Sequence, residues 1–133
     1  MWEPYSPDRG APWDLRRVVH LHRRAGFAAT WQQLQRDIKD GHEAALKRVL
    51  AGDAHGPDGR PAERFAETAA VLEASAQRRP ELQRIQGLWL YRLPYSPFPL
   101  AERMTLIWHS HYASGNDKVA EPLWMLAQNR TQR

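Results

Sequence analysis

The chain has no cysteine. That excludes disulfides, thiolate metal sites and a cysteine nucleophile, and it leaves the redox compartment open. No stretch approaches the ~18 consecutive apolar residues of a membrane-spanning helix. Strand-like alternation of useful length is missing too, so a sheet has nothing to be built from. Several catalytic signatures do not occur: no phosphate-binding glycine loop, no H-E-x-x-H, no G-x-S-x-G and no zinc-finger spacing. Lysine is scarce, since 16 of the 19 cations are arginine. A net charge of +4 is ordinary for solubility. Its arginines are spread over several segments, not gathered in one recognition helix, which weighs against nucleic acid as a partner. Met1 is followed by neither a basic nor an apolar stretch, so no export signal is visible.

What remains is helical. The 133 residues suit one domain. Residues 1–12, with Pro4, Pro7, Gly10 and Pro12, read as an extended arm, and residues 13–133 as a helical region. Leu15, Val18, Val19 and His22 recur at helical spacing, and Gly26 ends that helix after Arg23 and Arg24. Thr30 and Gln33 form a capping box. It opens a helix with Trp31, Leu34 and Ile38 expected inward and Gly41 at its end. Ala45, Leu46, Val49 and Leu50 follow as the inner face of a third helix closed by Gly52. A loop to Pro61 leads to a long helix striped by Phe65, Ala69, Leu72 and Ala76. After Pro80 another carries Leu82, Ile85, Trp89 and Leu93. Pro122 opens the last, with Leu123, Leu126 and Arg130 on one face. The expected fold is all-α, an irregular bundle of about six or seven helices. The last helix meets no stop signal before Arg133, so the chain reads as part of a larger helical protein.

The stretch densest in chemistry is Leu100–Asp117, LAERMTLIWHSHYASGND. Pro99 suits a first helical turn, and Ser114 to Asp117 read as a stop and a turn. Leu100, Met104, Ile107 and His111 share one face and are expected inward; Glu102, Thr105, His109 and Ala113 share the other. His109 and His111 stand about 200° apart on a helix, so they cannot grip one metal ion from within it. Glu102 lies seven residues before His109, too far along the axis to orient it directly. Any partner comes from another helix.

The segment ERMTLIWHSHYASGNDKV resembles the signature of a large bacterial family known as domain of unknown function 1800, close to ERMTLFWHNHFATSxxKV with a Gln-Asn pair after it. Gln128-Asn129 match that pair. WDLRRVVHLHRRAGFAAT is similar to the family's opening pattern, of a His-Leu-Leu-Arg-Arg-Ala-Gly-Phe-Gly kind. Departures are Ile107 for Phe, Ser110 for Asn, Tyr112 for Phe, His22 for Leu and Ala28 for Gly. The resemblance covers nearly the whole chain. Family proteins run to several hundred residues, which implies that a C-terminal part of the same protein is the partner of these helices.

His20 matches the histidine of the first motif, so a meeting of His20 with His109 or His111 is the sharpest expectation. Imidazole suits acid–base work or metal ligation near neutrality. Neither metal nor cofactor is specified. Arg23, Arg24, Glu102, Arg103, Trp108, Tyr112, Lys118 and Asn129 are the candidate binding residues for a small-molecule ligand. The arginines offer planar forks for a carboxylate, and the aromatics could line a pocket. Glu102 and Arg103 do not face each other, so each is expected to pair elsewhere, Glu102 with Arg23, Arg24 or Lys118. The alternative is a helical interaction or scaffold module without catalysis, in which His20 and His111 are core residues and the signature encodes packing.

Overall fold

The computed structural model describes residues 4–112 and 121–133. Among them are seven helices and no strand: α1 (Leu15–Ala25), α2 (Trp31–Asp40), α3 (His42–Ala51), α4 (Ala62–Arg78), α5 (Leu82–Tyr95), α6 (Pro99–His111) and α7 (Pro122–Thr131). The all-α irregular bundle expected from the sequence is the fold.

Local chemistry sets most boundaries. Asp14 caps α1 by accepting from Arg17 N–H at 3.0 Å. Thr30 and Gln33 form the full capping box of α2, with Thr30 N–H donating to Gln33 Oε1 at 2.9 Å. Each cap satisfies donors that a helix start leaves orphaned. Glycines at 26, 41 and 52 end the first three helices. The expected turn at Ser114 to Asp117 lies outside the described residues.

The bundle has two halves. Helices α1, α2 and α3 pack around Val18, Ala45 and Val49. Helices α4, α5 and α7 close over Ala76, Ile85, Leu88 and Leu126, with Leu72 against them. The halves meet at a narrow seam around the start of α6. There a Cβ on Gly26 would stand 2.9 Å from Pro99 Cβ. Arg103 donates to Gly26 O at 3.4 Å, and Asp53 N–H donates to Pro97 O at 2.9 Å.

Three inner faces differ from the sequence expectation. Trp31 is 58 % exposed, and the position α2 buries is Asp37. Leu46 and Leu50 face outward, while the smaller Ala45 and Val49 lie against α1 and α2. The largest correction is at α6, where Met104, Ile107 and His111 are exposed and Glu102 and Thr105 are buried, with His109 half-buried beside them. Apolar periodicity identifies the two faces but reverses them. The polar face is inside because α5 and the end of α7 supply matching donors and acceptors.

Candidate functional site

Two buried carboxylates organise the interior. Asp37, only 1 % exposed, holds its Oδ2 2.7 Å from His22 Nε2. Its Oδ1 accepts from Arg48 Nε at 2.9 Å and from Arg48 Nη2 at 2.6 Å. Arg48 also reaches Asp40 at 3.0 Å, and Trp13 Nε1 donates to the Asp37 carbonyl at 2.9 Å. One carboxylate thus joins α1, α2 and α3. Burial alone would push its carboxyl up, but hydrogen bonds from His22 and Arg48, with the charge of Arg48, leave it below its ordinary value of 3.8. Beside it Arg36 pairs with Asp53.

The second carboxylate is Glu102, also 1 % exposed. Arg133 grips it with a fork, Nε to Oε1 at 3.0 Å and Nη2 to Oε2 at 2.8 Å. Asn129 Oδ1 accepts from Arg133 at 3.0 Å, so Glu102 and Asn129 join one network through that guanidinium. Arg92 stands 3.8 Å from Glu102 and 3.4 Å from Glu73, and Glu73 also pairs with Arg130. Thr105, fully enclosed, donates to Ala101 O at 2.8 Å. This network ties α4, α5, α6 and α7. Glu102 is thus paired by Arg133 and Arg92, not by the Arg23 or Arg24 expected from sequence; Lys118, the third expected partner, lies outside the described residues.

The remaining candidates fall in three places. His20, Arg23 and Arg24 are exposed on α1 and line a broad groove of about 1220 Å3 beside the N-terminal arm. His109 sits edge-on to Trp89, ring centres 4.5 Å apart. Its Nδ1 and Trp89 Nε1 are both enclosed without a hydrogen-bond partner among the described residues. His111 is exposed and packs edge-on to Tyr112 at 4.8 Å, with Trp108 stacked on Tyr112 at 5.7 Å. Arg103 lies over the Phe27 ring at 5.7 Å. Among the described residues no group of three or more His, Cys, Asp or Glu could hold a metal ion.

Motif and spacing alone do not single out His22 and Asp37 as site residues. A signal exists nonetheless: His22 falls on the apolar stripe of α1, and Asp37 falls between Leu34 and Ile38 on that of α2. A titratable group at an inward position asks for a partner.

The molecule is therefore an all-helical protein whose interior is organised by arginine–carboxylate networks, with no helix among the described residues long and apolar enough to cross a membrane. A family model described as "Protein of unknown function (DUF1800)" matches residues 20–133, and the chain belongs to that family. Comparisons with curated proteins and with solved structures found no match.

Proposed function

We propose that this chain is a helical scaffold module in which the signature residues Glu102, Thr105 and Asn129 serve packing, not turnover. The observation that carries the reading is the buried carboxylate of Glu102, both of whose oxygens are taken by one guanidinium. A carboxylate so gripped and 1 % exposed is held as a structural pair, and its geometry fixes how α6 meets the end of α7. His20 and His111 are exposed, not the core residues expected of them in a scaffold, so the packing role rests on Glu102, Thr105 and Asn129. The test is a triple variant of the intact protein, His20→Gln, His109→Gln and His111→Gln. A scaffold predicts unchanged helical content and unchanged metal content by elemental analysis. Loss of a bound metal from a still folded variant overturns it.

One observation favours a second reading, an acid–base or metal site at His109 alone, since His20 and His111 lie in separate places. Among the described residues the enclosed His109 Nδ1 lacks a partner beside Trp89, and a ring nitrogen without a partner can ligate or exchange a proton. It predicts that His109→Gln alone abolishes metal retention or activity while stability holds.

A further inference from the structure

A cleft of about 450 Å3 opens between α4 and α6. Phe65 and Ala66 of α4, with Phe98 and Ala101 at the start of α6, form its walls, and Glu73, Arg92, Glu102 and Arg133 its floor. Apolar walls over a few polar groups are what a small-molecule site requires.

The floor belongs to a network with more cations than anions. Among the described residues three guanidiniums, Arg92 and Arg133 in the floor and Arg130 behind Glu73, share two carboxylates, Glu73 and Glu102. Arg133 commits its fork to Glu102, and Arg130 engages Glu73. Arg92 is left with the long contacts, 3.4 Å to Glu73 and 3.8 Å to Glu102. Its Nε is enclosed with no partner among the described residues. Burial and the charge of Arg133 hold Arg92 below its ordinary value, a pull that Glu102 and Glu73 do not cancel. A half-buried cation with incomplete partners gains most from one more anion.

We propose that this cleft binds a small monocarboxylate with an apolar body, its carboxylate accepting from Arg92 and its body lying between Phe65 and Phe98. The incoming group would bring the network to three carboxylates for three guanidiniums. A cation of the same length is repelled by Arg92 and a neutral alcohol offers it an acceptor without charge, so the site discriminates by charge and not by greasiness alone.

Calorimetric titration of the intact protein with octanoate, octylamine and octanol tests this. Octanoate is expected to bind saturably, one per chain, with the amine and the alcohol at least about tenfold weaker. Arg92→Gln should weaken octanoate by a similar factor. Ala66 is exposed on the wall of the cleft, so Ala66→Trp should block the cleft while helical content and melting stay put; it decides the matter if Arg92→Gln does not fold. No saturable octanoate binding, equal binding of octanol, or octanoate affinity that survives Ala66→Trp would each overturn the proposal.

Discussion

His22 Nε2 and Asp37 Oδ2 stand 2.7 Å apart in the interior of the α1–α3 half, and the opposite oxygen of the same carboxylate is held by Arg48. Removing the acid strands two donors at once. Asp37→Ala is expected to cost about 3–5 kcal/mol, the range for breaking a buried ion pair from one side. Denaturant unfolding measures it; a loss under about 1 kcal/mol would mean the cluster contributes little.

The same carboxyl sets a pH dependence. Its folded value lies below the ordinary 3.8. A depressed acid stabilises the native state above its unfolded value, and that contribution fades as pH falls through the folded value. Stability should therefore decline below about pH 4, and Asp37→Asn should flatten that part of the curve. Unfolding midpoints recorded from neutrality downward are the check.

Glu102 and Arg133 invite a double-mutant cycle. Arg133→Met leaves an enclosed carboxylate with only the 3.8 Å contact of Arg92 and should cost about 3 kcal/mol. Adding Glu102→Leu should recover part of that loss, because the paired desolvation vanishes with the pair. A double variant less stable than Arg133→Met would contradict this account.

Two histidines should respond unequally to the same change. His111→Leu, at an exposed position of α6, is expected within about 0.5 kcal/mol of the parent. His22→Leu removes the donor from Asp37 and should cost about 1–3 kcal/mol. Thermal melts of the two variants rank them directly.

A pair of glycines makes a similar contrast. Gly52 has φ +91°, and a Cβ there would collide with the Phe98 ring. Gly52→Ala should destabilise by well over about 1 kcal/mol. Gly87 sits within α5, and a Cβ added to it would meet nothing within 4 Å, so Gly87→Ala should stabilise by about 0.4–1 kcal/mol. Chemical denaturation of the two variants against the parent gives both signs.

Helix number, the capping box at Thr30 and Gln33, and the terminating glycines are legible in the sequence because each is written in a few adjacent residues. Which side of α6 turns inward is not. Met104 and Ile107 look like core to any periodicity argument, but the partner that admits Glu102 is Arg133, about thirty residues downstream and itself steadied by Asn129. Their approach is a tertiary fact. Helix geometry does show that Glu102 and Arg103 must each look beyond the other for a partner, without saying which helix supplies it. The stripe that carries His22 is equally plain, but its role is not, since Asp37 is fifteen residues away on the next helix.

The narrow seam at Gly26, Asp53, Pro97 and Pro99 separates two independently clasped groups of helices. Charge locks each group internally, whereas few bonds cross between them. Such a construction should breathe in pieces: amide hydrogens of α1–α3 and those of α4–α7 would exchange with two distinct opening energies, and a ligand seated in one group would slow exchange there first.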